Sequence, residues 1–166
     1  MSSLTILGVD PGITNTGYGI VKITADNKPQ LFKYGHFHTN SKHSLAQRLH
    51  KIYSGLEKII AEVRPDIMVV ENIFYSENVQ TAIIMGHARG AILIAGMNSG
   101  CEIAEYSPRE VKQSVVGTGG AAKEQVHYMV KQLLDTREDI RPDDASDALA
   151  AALCHWHKLK FNQLTK

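Results

Sequence analysis

Hydrophobic and polar positions along the 166-residue chain change period several times, and each change predicts an element. Residues 4–9 form a short β-branched run, broken by Pro11-Gly12 into a turn, and residues 18–24 and 31–39 read as two further strands. Short connections between these three predict an antiparallel meander. Leu45, Leu49, Ile52, Leu56, Ile59, Ile60 and Val63 then recur at spacings of three and four, the stripe of an amphipathic helix that Pro65 closes. Residues 67–70 are an uninterrupted apolar run, as in a strand covered on both faces, and they end at Glu71. Beyond lie an Ala- and Ile-rich helix (79–97), a strand (102–105), a short helix (109–115), a glycine loop (117–120) and two helices (123–134 and 144–159). The order β-β-β-α-β followed by alternating helix and strand predicts an α/β fold with one five-stranded mixed sheet flanked by helices.

Composition narrows this picture little. Eighteen Lys and Arg balance seventeen Asp and Glu for a net charge of +1, so any charged surface must arise by segregation. The length suits one domain, residues 1–159, followed by a basic tail, 160–166. His87, Arg89 and several glycines interrupt the longest apolar helix, and no leader pattern opens the chain, so the expectation is a cytoplasmic protein with no membrane partner. Cys101 and Cys154 fall in apolar segments and read as reduced core thiols.

The chemistry lies in acids at element ends. Asp10 and Glu71 each follow an apolar strand, and in a mixed sheet ligands gather at the carboxyl ends of adjacent central strands. Two such carboxylates side by side raise each other's pKa unless a cation intervenes. Asp144 and Asp147 are three residues apart and share a helical face that Ala148 and Ala151 continue, small enough to let the helix approach a sheet. An oxygen-only cluster suits Mg²⁺ or Mn²⁺ rather than zinc, and two such ions serve phosphodiester hydrolysis. Structural alternatives exist: Asp10 as the start of an Asp-Pro-Gly turn, and Asp143 or Asp144 as a helix cap, to which Asp143 is assigned. They leave Glu71 and Asp147 unexplained.

Gly8 to Gly19, Val69 to Phe74, Val111 to Lys123 and Asp143 to Ala150, quoted as GVDPGITNTGYG, VVENIF, VKQSVVGTGGAAK and DDASDALA, resemble in order the RuvC family of bacterial Holliday-junction endonucleases. The resemblance implies a ribonuclease-H-like fold, a homodimer that binds a four-way DNA junction, and paired symmetric nicks that leave 5′-phosphate and 3′-hydroxyl ends in recombination and repair. It implies Asp10, Glu71, Asp144 and Asp147 as the catalytic, metal-binding acids, holding two Mg²⁺ ions with Mn²⁺ as a substitute. It further implies Phe74 stacking on an unpaired base, Lys112 and Lys123 near the DNA, and the RuvA–RuvB branch-migration complex as a partner. Tyr75 is left undecided. The helix 79–97, with Gly86 and Gly90 at i and i+4, is the implied dimer element, in competition with burial against its own sheet.

Other features are set aside. Cys154-His155-Trp156-His157 points in four directions on a helix and is not read as a zinc site. An ATP-binding domain of the actin or sugar-kinase type explains Asp10, Gly12 and Thr14, but needs two lobes and gives the later acids no task. A smaller resolvase of related fold shares Asp10 and a late Asp but lacks the combination of Phe74, Lys112 and Lys123, and four intact acids argue against a junction-binding protein with a decayed site.

Overall fold

The computed structural model describes residues 3–72 and 77–165. Phe74 and Tyr75 lie outside the described residues. Ten elements follow in the order β1 (Leu4–Asp10), β2 (Asn15–Ile23), β3 (Pro29–His38), α1 (Leu45–Val63), β4 (Ile67–Glu71), α2 (Val79–Asn98), β5 (Glu102–Tyr106), α3 (Pro108–Val116), α4 (Lys123–Leu133) and α5 (Asp143–Leu164). The five-stranded sheet has the order β3-β2-β1-β4-β5. The first three strands pair antiparallel, and β1–β4 and β4–β5 pair parallel. The mixed sheet predicted from the hydrophobic pattern is therefore the one observed, with β1 and β4 at its centre. Helix α5 runs to Leu164, five residues beyond its predicted end at Leu159, so much of the segment read as a basic tail is an exposed final helical turn.

Two apolar layers cover the sheet. Alternate residues of a strand face opposite sides. Ile6, Ile67 and Val69 pack with Leu149, Leu153 and Trp156 of α5 and with Val111, Val126 and Val130 of α3 and α4. Leu7, Val9, Met68 and Val70 pack on the other side with Ile52, Leu56 and Ile60 of α1 and Ala88, Ile92 and Ala95 of α2. Each fully buried Leu or Ile contributes about 1.5 to 3 kcal/mol. The capping signals are local and strong: Ser44 and Gln47 form a capping box at α1, and Ser107 with Glu110 forms another at α3. Cys101 and Cys154 are both free and buried, in different layers.

Helix α5 lies nearer the sheet than side chains normally allow. A Cβ on Gly8 would stand 1.9 Å from the carbonyl oxygen of Ala148, and one on Gly17 would stand 2.0 Å from that of Asp144. Glycine is required at both places because backbone, which cannot step aside, fills the volume of the missing methyl. The small residues of α5 match these gaps: Ala145, Ala148, Ala151 and Ala152 are all fully buried.

Helix α2 has the length and apolarity of a bilayer span. Its inner face is committed to the sheet through Ala88, Ile92, Ala95 and Gly96, and it carries Arg89, whose Nη2 stands 2.7 Å from Glu105 Oε1 of β5. That contact is Coulombic rather than a well-aligned hydrogen bond, because neither Arg89 Nε nor Nη2 meets hydrogen-bond geometry among the described residues.

Candidate active site

Strand register places the first two acids. Parallel pairing of β1 with β4 ends at Val9 opposite Val70, so Asp10 and Glu71 follow as the next positions on neighbouring strand ends. Ile6 and Gly8 face α5, and Asp10, two residues further, shares that face. Glu71 does the same after Ile67 and Val69. The antiparallel partner of Asp10 is Gly17, and the backbone of Asp144 rests on Gly17. The missing side chain on β2 thus brings the first turn of α5 over the end of β1. One carboxylate oxygen from each of Asp10, Asp144 and Asp147 lies within 4.8 Å of the others. Glu71 stands outside this trio but lines the same cleft, about 220 Å³, with Lys112, Lys123 and Asp147.

Neither structural alternative for these acids describes the arrangement. The turn after Asp10 is closed by Thr16, whose Oγ1 donates to the Gly12 carbonyl at 2.6 Å, not by the Asp10 carboxylate. The N-cap of α5 is Pro142, without a side-chain capping bond, so the assignment of Asp143 to capping is corrected. Asp143 is the first residue inside the helix and accepts from Arg141 Nη1 at 2.8 Å. Both acids of the first turn still suit the positive end of the helix dipole.

Crowding of like charge dominates the electrostatics. Burial, then repulsion from Glu71, Asp147 and Asp144, pushes Asp10 up to about 9, with Lys123 opposing. Burial and Asp147 raise Glu71 to about 7 against the pull of Lys112 and Lys123. Burial works to lower the Lys123 ammonium, but Asp147, Asp143 and Asp144 outweigh it and hold it above its usual range. Its Nζ is 3.4 Å from Asp147 Oδ2. One lysine at that distance leaves the pocket short of positive charge at neutral pH. A hard divalent cation fits: every donor in the trio is a carboxylate oxygen, and the deficit is electrostatic.

The structure thus brings Asp10, Glu71, Asp144, Asp147, Lys112 and Lys123 to one cleft region. Phe74 falls outside the described residues. Sequence reasoning missed His127, whose Nε2 is 3.0 Å from Asp147 Oδ1. The signal was present: His127 follows Lys123 by four residues on one helix face. The four residues from Cys154 to His157 do diverge. His155 Nδ1 meets the Tyr106 hydroxyl at 2.7 Å, Trp156 Nε1 donates to Asn27 Oδ1 at 2.9 Å, and His157 Nδ1 is 3.0 Å from the Ser114 carbonyl.

Comparison with known proteins agrees over nearly the whole chain. The profile of the family described as RuvC, crossover junction endodeoxyribonuclease, matches residues 6–155. A crossover junction endodeoxyribonuclease RuvC from Alkaliphilus metalliredigens is 45% identical over 98% of this chain and 99% of its own. Its counterpart from Geobacter sulfurreducens is 49% identical over 92% of each. The solved structure of Thermus thermophilus RuvC in complex with a Holliday junction substrate superposes with a TM-score of 0.90, at 33% identity and with 96% of each chain covered. The fold, the convergent acids and this similarity lead to one conclusion: the chain belongs to the RuvC family of crossover junction endodeoxyribonucleases.

Proposed function

We propose that this chain resolves four-way DNA junctions in the cytoplasm by paired symmetric nicks, with Asp10, Glu71, Asp144 and Asp147 as the catalytic acids. The observation that carries the reading is the pocket in which oxygens of Asp10, Asp144 and Asp147 lie within 4.8 Å of each other, where burial and like charge push Asp10 up to about 9. Those acids, with Glu71, would hold two Mg²⁺ ions, Mn²⁺ serving as a substitute. Ions held there would supply Lewis-acid activation of water and charge neutralisation at the leaving oxygen for hydrolysis to 5′-phosphate and 3′-hydroxyl ends.

The chain's own residues then divide the work. Asp10 and Glu71, on strand ends, are fixed by the sheet, while Asp144 and Asp147 are set by the contact of α5 with Gly17. Lys123 and Lys112 flank the carboxylates and offset the charge of an approaching DNA backbone, as pre-placed cations do for developing phosphate charge. Phe74 stacks on an unpaired base at the crossover.

Two nicks on symmetric strands call for two sites related by a twofold axis, and a homodimer provides them. Helix α2 supports that reading. Val79, Ile83, Ile94 and Met97 are 70%, 55%, 54% and 61% exposed, and a Cβ on Gly86 or Gly90 would meet nothing within 4 Å among the described residues. An apolar stripe with room for close approach suits a second copy of the same helix. Delivery by a branch-migration complex of the RuvA–RuvB type completes the proposal.

The test is incision of synthetic four-way junctions against linear duplexes of the same sequence, with Mg²⁺ and with chelator. Symmetric cuts confined to junctions and abolished by chelator are expected. Equal cutting of linear duplex, or cutting that survives chelation, overturns the proposal.

A further inference from the structure

We infer that His127 is a positioning residue for the acid cluster: donating from Nε2 to Oδ1 of Asp147, its imidazole holds that carboxylate beside Asp10 and Asp144. The inference rests on the metal-holding reading of those acids given above.

Geometry sets the roles. An ionised carboxylate only accepts, so in the 3.0 Å contact the hydrogen must sit on His127 Nε2. Nδ1 is 3.8 Å from Asp143 Oδ1, too long for a hydrogen bond, and that oxygen already accepts from Arg141 at 2.8 Å. Among the described residues, the ring's hydrogen bond goes to Asp147.

Asp147 needs such a partner. It faces Asp10 and Glu71, both of which it repels, and its side chain retains 23% exposure, enough of an opening to swing toward water. Lys123 approaches the other oxygen, Oδ2, at 3.4 Å, but its side chain is 53% exposed and ends a flexible stem. His127 is 21% exposed, has only two side-chain torsions, and projects from a helix anchored by buried Val126 and Val130. It is therefore the stiffer of the two contacts. Partners that orient a ligating carboxylate typically affect metal affinity by about 10- to 100-fold.

The experiment titrates Mn²⁺ into the metal-free full chain and reads free Mn²⁺ by electron paramagnetic resonance, for wild type, Asp10→Asn, His127→Ala, His127→Gln and His127→Asn. His127→Ala is expected to weaken Mn²⁺ binding by about 10-fold. His127→Gln, whose amide nitrogen reaches the place of Nε2, stays near wild type, and His127→Asn, whose amide reaches only the place of Nδ1, resembles the alanine variant. Melting in chelator checks that each variant folds; should the alanine variant fail, Gln against Asn decides alone. Wild-type affinity in the alanine variant, or Gln as weak as Asn, overturns the positioning role and leaves the metal site intact. If Asp10→Asn binds Mn²⁺ as wild type does, the metal-holding reading itself falls, and this inference with it.

Discussion

The two faces of the sheet use the same small residues to opposite ends. On the α5 face, Gly8 and Gly17 are filled by the backbone of Ala148 and Asp144, and the acids converge where that contact is tightest. On the α2 face, Gly86 and Gly90 meet nothing within 4 Å among the described residues, and large apolar side chains stand in solvent beside them. Charge follows the same division: the half-buried acids crowd together on the α5 side, whereas Glu105 on the α2 side has Arg89 at 2.7 Å. A glycine with occupied surroundings is a structural commitment inside the chain, and a glycine with empty surroundings is room left for something else.

The sharpest break in the comparison comes from chemistry. Asp10→Asn is expected to lower junction nicking on the order of 10³-fold, several kcal/mol of transition-state stabilisation, while junction binding measured by gel shift persists. Ile83→Ser on the other face should weaken self-association in sedimentation without unfolding the chain. Retained nicking in the first variant would detach the acids from the activity.

Next in size is packing. Gly17→Ala sets a methyl against the Asp144 carbonyl and is expected to cost about 3 kcal/mol in urea unfolding, with part of the nicking activity lost as α5 lifts from β1. Its counterpart Gly86→Ala, in open space on the helix of the single chain, should change stability by about 1 kcal/mol or less, and upward, when unfolding is measured at concentrations too low for self-association. Equal costs at the two positions would erase the distinction between filled and open glycines.

Stability against pH comes third. Asp10 and Glu71 have native values of about 9 and 7 against ordinary values of 3.8 and 4.5, so between those limits the folded chain binds more protons than the unfolded one. Metal-free stability therefore falls as pH rises, from about pH 5 through 7 for both groups and on towards 9 for Asp10, by up to about 1.4 kcal/mol per pH unit for each proton retained. Mg²⁺, which binds the ionised acids, should flatten the slope. Asp10→Asn should also flatten it, whereas Glu105→Gln on the opposite face should not. Chemical denaturation at a series of pH values checks all three.

Much of this was legible in the chain. Short apolar runs located the strands and the three-and-four spacing located α1, and acids at the ends of apolar runs stood out because burial disfavours a lone carboxylate there. What was not legible depends on contact across the fold. The alanines of α5 announced a close helix, but the strand glycines that admit it pair with them only through the β1–β2 register, so Gly8 and Gly17 read as ordinary motif glycines. His127 shares a helix face with Lys123 in the sequence, but its partner Asp147 lies on another helix, twenty residues away, so only the fold joins them. The end of α5 was drawn too early because residues 160–164 lack the buried face that marks the rest of the helix.

The acids of the cleft cannot all be ionised together without a cation. The most direct test is a ¹³C NMR titration of the Asp10 side-chain carboxyl in the metal-free protein, repeated with saturating Mg²⁺. A midpoint near 9 without metal, falling well into the acid range with it, is the expected result. A midpoint near the ordinary 3.8 in the metal-free protein would contradict it.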